Sequence, residues 1–219
     1  MTAAPEVHAA LTRLRSALAA LTFPLPVDGA ASAASTRDRL VNQLDDYVLP
    51  RYSNLDAPLL AVVGGSTGAG KSTIVNSLLL STVAASSAIR PTTRRPLLLH
   101  HPDDEAWFTT ARILPNFPRV RVADDAAPTP ALTASQLELE VRATAHLPAG
   151  LALLDAPDID SVVDQNRATA AQLLGAADLW LFVTTAARYA DAVPWELLAD
   201  AASRDVVVAI VLNRVPEEV

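Results

Sequence analysis

Five short runs of continuous apolar sequence constrain this chain more than any other feature: LLAVV at 59–63, LLL at 97–99, LALL at 151–154, LWLFV at 179–183 and VVVAIVL at 206–212. None of them alternates polar with apolar residues, so a strand built from any one must be covered on both faces. That is the condition of central strands in a mostly parallel sheet flanked by helices. Helical patterns fill the intervals, at 71–80, at 134–147 behind a Thr133/Gln136 capping box, at 160–174, and at 194–203 with Pro194 in the first turn. Strand and helix in alternation predict an α/β, doubly wound fold. The stretch RVRV at 119–122 does alternate and reads as an edge strand.

A different pattern precedes the first run. Val7, Leu11, Leu14, Leu18 and Leu21 recur at steps of four and three, one apolar stripe of an amphipathic helix. The segment FPLPVDGAASAAS at 23–35 breaks it, and a second helix is expected from Ser35 or Thr36 to about Leu49, with Pro50 as its stop. The expected organisation is therefore an N-terminal helical segment over 1–57, serving as a stalk or as packing helices, followed by an α/β domain over 58–219. The chain ends directly after its last apolar run, where folds of this type continue with another helix and strand. We therefore expect the front part of a longer protein, with the α/β domain truncated at its C-terminus.

Between the first apolar run and the helix after it lies GGSTGAGKST, residues 64–73, which matches the phosphate-loop pattern GxxxxGK[ST] in its proper strand–helix context. Four of the chain's seven glycines sit here. Lys71 is the chain's only lysine, beside sixteen arginines. Glycines let successive backbone N–H groups converge on a phosphate, and the following helix adds its positive end. A compact ammonium reaches between β- and γ-phosphates where a planar guanidinium would overfill the space. Gly65, Ser66, Thr67, Gly68, Ala69, Gly70, Lys71, Ser72 and Thr73 are thus the candidate nucleotide-contacting residues, with the Ser72 hydroxyl a candidate Mg²⁺ ligand. Asp155 closes the apolar run at 151–154, and a carboxylate at the carboxyl end of a central strand points into the ligand crevice, where it would hold Mg²⁺ through water.

Charge and composition exclude other classes. A net charge of −7, with only Arg90, Arg94 and Arg95 clustered, argues against a nucleic-acid partner. There is no cysteine for a disulfide or thiolate site, and His8, His100, His101 and His146 lack metal-ligand spacing. The N-terminus lacks the pattern of a signal peptide, and no apolar run approaches the roughly 18 to 20 residues that cross a bilayer. The expected location is cytoplasmic.

Downstream of the loop, RPTTRRP at 90–96 leads into LLLHH, and the strand at 151–154 continues as DAPD at 155–158. On these motifs, over about residues 58–216, the chain resembles the dynamin superfamily of large GTPases and looks closest to bacterial dynamin-like proteins. The resemblance implies a P-loop GTPase domain that uses GTP and GDP with Mg²⁺. Thr93 would be the switch threonine that ligands the metal, with Thr92 the alternative one residue away, and Lys71 and Thr93 would be the catalytic residues. Asp155 would belong to the second switch, although the family pattern DxPG has glycine where this chain has Asp158. In LNRVP at 212–216, Asn213 and Arg214 would contact the base, while Pro216 replaces the family's aspartate and Glu217 or Glu218 stands nearby. Thr67 and Gly68 occupy positions where eukaryotic dynamins carry glutamine and serine, so those two roles do not transfer. The resemblance further implies self-association through the nucleotide face as a homodimer, a stalk formed with helices that follow the domain, and peripheral contact with a membrane. An ATP-binding P-loop ATPase and a nucleotide-binding switch with little hydrolysis of its own remain open alternatives.

Overall fold

The computed structural model describes residues 3–54, 56–82, 95–110, 112–122, 138–160, 164–187, 195, 198–199, 201–202 and 206–215. In chain order these form α1 (Ala3–Ala20), α2 (Ala30–Gln43), a π-helical turn (Leu44–Val48), α3 (Leu49–Ser53), β1 (Leu59–Gly65), α4 (Lys71–Leu79), β2 (Leu97–His100), α5 (Glu105–Phe108), β3 (Arg119–Arg121), β4 (Leu139–Ala143), β5 (Leu151–Asp155), α6 (Asp164–Gly175), β6 (Leu179–Thr185) and β7 (Val207–Asn213). The described residues among 195–202 are helical, within the helix expected at 194–203.

The seven described strands make one sheet in the order β3-β4-β2-β5-β1-β6-β7. β5, β1, β6 and β7 run parallel, and so do β3, β4 and β2. The two blocks meet at an antiparallel pairing of β2 with β5. This is the mostly parallel α/β sheet that the apolar runs predict. The reason is visible in β1, whose residues alternate between two cores. Leu60 and Val62 pack with Leu98, Leu154, Trp180, Phe182 and the α6 residues Leu173 and Leu174. Ala61 and Val63 pack on the other face with Leu99, Leu153, Val183 and the α4 residues Val75 and Leu79. Each buried Leu, Val or Phe among them contributes about 1.5–3 kcal/mol of transfer free energy, so exposing either face would be prohibitive.

Three sequence expectations need correction. The run at 206–212, expected as a central strand covered on both faces, is β7 at the edge of the described sheet, where Val207, Ile210 and Leu212 are exposed. The segment expected as a helix over 134–147 is, where it is described, the strand β4 followed by a turn, and β4 is buried along most of its length. Thr133 and Gln136 lie outside the described residues. Leu139 and Val141 face one core, while Glu140 and Arg142 share the opposite face and pair at 2.8 Å, both buried. The period is two, and Glu and Leu, which favour helices, are overridden by pairing with β2 and β3. The second N-terminal helix also differs. It opens at Ala30, behind Gly29 in the left-handed conformation, because the alanine-rich stretch after Gly29 is strongly helix-forming. Pro50 does not stop it. The π turn closes with a bond from the Leu49 amide to the Leu44 carbonyl, and Pro50 then falls in the first turn of α3, where a missing N–H is tolerated.

The π turn carries Asp46, which is buried and accepts bonds from Asn116 Nδ2 at 3.2 Å and Gln172 Nε2 of α6 at 2.6 Å. Burial pushes its carboxyl up from 3.8 to about 6; the charge of Asp45 adds to the rise and the two amide donors oppose it. Arg51 of α3 donates to the carbonyls of Ala57 and Pro58 and pairs with Asp178 ahead of β6. An acid whose folded pKa is raised holds its proton in the folded chain where the unfolded chain has lost it, so its contribution to stability falls as pH rises from about 4 to about 6. Asp46→Asn is expected to remove that segment of the pH–stability curve, worth on the order of 2 kcal/mol, in urea titrations between pH 4 and 7. An unchanged curve would show that Asp46 ionises as freely as it does in the unfolded chain.

Candidate functional site

The loop between β1 and α4 is shaped by close backbone approaches. A Cβ on Gly65 would lie 2.1 Å from the Val183 carbonyl oxygen of β6, so only glycine lets β1 end there. Gly70, at φ 97°, opens α4, and a Cβ on it would meet Asn213 Nδ2 at 2.3 Å. Between them the Ala69 amide bonds the Ser66 carbonyl at 3.1 Å, closing a turn, and the Ile74 amide bonds the Gly70 carbonyl at 2.9 Å, starting the helix.

At the centre of this loop lies the Lys71 ammonium, 7 % exposed. It donates to the carbonyls of Gly65 at 2.8 Å and Ser66 at 3.1 Å and to Asp158 Oδ1. Ser66 is itself fully buried. One position along α4, Ser72 Oγ donates to Asp155 Oδ2 at 2.9 Å. Strand register brings that pair together: Asp155 lies beside Val63 at the carboxyl end of β1, two residues before the chain turns into the loop. The first residue of β2, Leu97, pairs with the same Asp155, so β2 starts at this end of the sheet. Thr73 is exposed on α4, and its carbonyl takes the Ser77 hydroxyl.

The segment after β5 folds back over the loop. The Thr67 amide and hydroxyl both donate to Asp160 Oδ1, at 2.6 and 2.8 Å. The backbone holds this segment with bonds from the Ala156 amide to the Val63 carbonyl at 3.2 Å and from the Ile159 amide to the Gly65 carbonyl at 3.4 Å. On the other side, Asn213 at the end of β7 donates through Nδ2 to the Ala69 carbonyl at 2.8 Å, and its Oδ1 accepts the Arg214 amide at 2.9 Å. Arg214 adopts the left-handed conformation at φ 54°.

The sequence candidates Gly65 to Thr73, Asp155, Asn213 and Arg214 are thus gathered at one end of the sheet. Thr93 and Thr92 lie outside the described residues, as do Pro216, Glu217 and Glu218. Arg95, which follows them, pairs with Glu138 at 2.7 Å. Asp160 went unnoticed in the sequence; its only signal was a second acid two residues after Asp158.

The donor set can be tested against a metal. Among the described residues no three His, Asp or Glu side chains cluster to hold one. The Ser72 hydroxyl and the Asp155 carboxylate, 2.9 Å apart, are instead the sparse oxygen pair that suits Mg²⁺, an ion that keeps several waters and takes further oxygens from substrate phosphates. The residues fit.

Comparisons with known proteins bear on the same region. No curated protein matches the chain. Two solved structures, both described as an oligomerised bacterial dynamin pair that provides a mechanism for the long-range sensing and tethering of membranes, match at 13 % identity with TM-scores of 0.45 and 0.46. The matches cover 95 % and 97 % of this chain but 34 % and 37 % of those chains, so this chain spans about a third of their length. No helix among the described residues is long and apolar enough to cross a membrane. The model of the dynamin family matches residues 60–215, the stretch from β1 past β7 that carries the glycine loop, Asp155 and Asn213, and the chain belongs to that family.

Proposed function

We propose that this chain is the nucleotide-binding domain of a dynamin-like GTPase, which binds and hydrolyses GTP with Mg²⁺ and couples nucleotide state to conformational change or self-association. The observation that carries it is the buried Lys71 ammonium at the centre of the Gly65–Lys71 loop, with the Ser72–Asp155 oxygen pair beside it. In this proposal the loop amides and Lys71 bind and orient the phosphates, and Ser72 and Asp155 hold the metal. Bound Mg²⁺ supplies charge neutralisation on the phosphate oxygens. Phosphoryl transfer asks little covalent chemistry of a protein, so positioning and charge are what these residues contribute. Asn213 supports the base side indirectly, since it ties the end of β7 to the Ala69 carbonyl. Thr93 completes the proposed catalytic set. Self-association through the nucleotide face, a stalk role for the N-terminal helices and work at a membrane surface are the finer parts of the same proposal.

Isothermal titration decides the base. GTP and GDP are expected to bind at least about tenfold tighter than ATP in the presence of Mg²⁺, and Asp155→Asn to remove the metal dependence of GTP binding. Equal or tighter binding of ATP would remove the guanine preference. One observation favours the second reading, a switch with little intrinsic hydrolysis: the residue in the glycine position of the second switch is an aspartate, and it is bonded to Lys71. Phosphate release that stays flat as protein concentration rises would select it.

A further inference from the structure

We infer that the segment Asp158–Asp160 is a built-in anionic occupant of the phosphate loop, which a nucleotide must displace before Lys71 can serve it. The inference rests on the assignment of residues 65–71 as a phosphate loop and adds how that loop is kept closed.

An ammonium has three N–H donors. In Lys71 they meet three acceptors: two carbonyls of the loop's own backbone, at Gly65 and Ser66, and the Asp158 carboxylate. The backbone pair is part of the loop, so the donor that an incoming phosphate takes is the one now given to Asp158. One amide of the loop is engaged in the same way, because the Thr67 N–H points at Asp160 Oδ1 at 2.6 Å and the Thr67 hydroxyl doubles the contact at 2.8 Å. Two carboxylates therefore lie against the cationic and N–H groups that make such a loop attract phosphate.

Their placement is not that of loose surface acids. Ile159, between them, is 2 % exposed and belongs to the larger core cluster, and its amide bonds the Gly65 carbonyl. With the isoleucine anchored, the aspartates before and after it are both held over the loop. Asp158 itself is 38 % exposed on its side chain, so solvent reaches the pair and the contact is open to exchange. A polyphosphate arriving here meets two negative charges facing one positive charge, and entry requires Asp158 to leave. Asp158 shares a peptide unit with Ile159, whose 3.4 Å bond to the Gly65 carbonyl is long, so the displacement is expected to loosen that tie.

The experiment uses the full chain and two probes, GDP and inorganic pyrophosphate, the second of which has no base. Affinities are measured by calorimetry for the wild type, Asp158→Asn, Asp158→Gly and Asp160→Asn. Pyrophosphate and GDP are expected to bind about tenfold tighter to both Asp158 variants and several-fold tighter to Asp160→Asn. In the wild type, pyrophosphate is expected to speed hydrogen exchange at the Ile159 amide. Using two substitutions at Asp158 guards against one of them folding poorly, and the exchange measurement needs no variant at all. Wild-type binding with unchanged or weakened affinity in both Asp158 variants, or an Ile159 amide that stays protected when pyrophosphate is bound, would overturn the displacement and leave the phosphate loop standing. If neither probe binds the wild type or any variant, the loop assignment itself fails and this inference goes with it.

Discussion

Lys71→Ala is expected to weaken GTP and GDP binding at least ~100-fold while the circular dichroism spectrum stays native. The donor freed from Asp158 would give phosphate a charge-assisted hydrogen bond worth about 1.5–3 kcal/mol, and the loss of a buried positive charge beside a polyphosphate adds to it, so that together they reach the roughly 2.8 kcal/mol that a hundredfold change in affinity requires. The fold has a smaller stake in this side chain: the ammonium's bonds to the Gly65 and Ser66 carbonyls are lost, but the close approaches at Gly65 and Gly70 and the Asn213 tie to Ala69 remain to shape the loop. Lys71→Arg is expected to lose nearly as much, because a rigid planar fork does not fit a site whose acceptors, the Gly65 and Ser66 carbonyls and Asp158, surround a single compact nitrogen. Retained affinity in a natively folded Lys71→Ala chain would refute the role given to the loop.

Gly65→Ala is expected to have the largest effect on stability, a loss of about 3 kcal/mol or more and a melting temperature lower by about 6–12 °C. The new methyl carbon would lie 2.1 Å from the Val183 carbonyl oxygen. That neighbour is backbone of β6, paired with β1 through Val63, Gly64 and Gly65, so relief requires moving a central strand. Gly68→Ala is the control. Gly68 sits at φ 75°, but a Cβ there meets nothing within 4 Å, so only the cost of a left-handed alanine remains, about 1 kcal/mol. Thermal melts in which the two variants behave alike would show that β1 and β6 do not approach as closely at Gly65 as described.

Much of this molecule was legible in the residues alone. Where an apolar run is continuous, as in LLAVV and LALL, burial on both faces leaves few folds to choose from, and the strands appear within a few residues of their expected limits. Where pattern and propensity disagree, propensity misled. The strand LEVRA has helix-forming composition and a period of two, and the pairing that decides between them lies on strands distant in sequence. Pro50 reads as a stop because a local rule says so; a π turn upstream removes the conflict, and nothing short of the folded backbone announces it.

The site divides along the same line. The loop at 65–71 is a local object, since glycines, lysine and serine at fixed spacing between a strand and a helix bring their own geometry, and the order of residues determined it. Which acceptors surround Lys71 is not local. Asp158 and Asp160 stand about ninety residues away, and Asn213 farther still. They reach the loop because β5, β1, β6 and β7 end together at one edge of the sheet. Sequence thus determined a glycine loop with one lysine between a strand and a helix; only the tertiary structure decided that the chain's own carboxylates lie against that loop, because strand register sets which loops face one another.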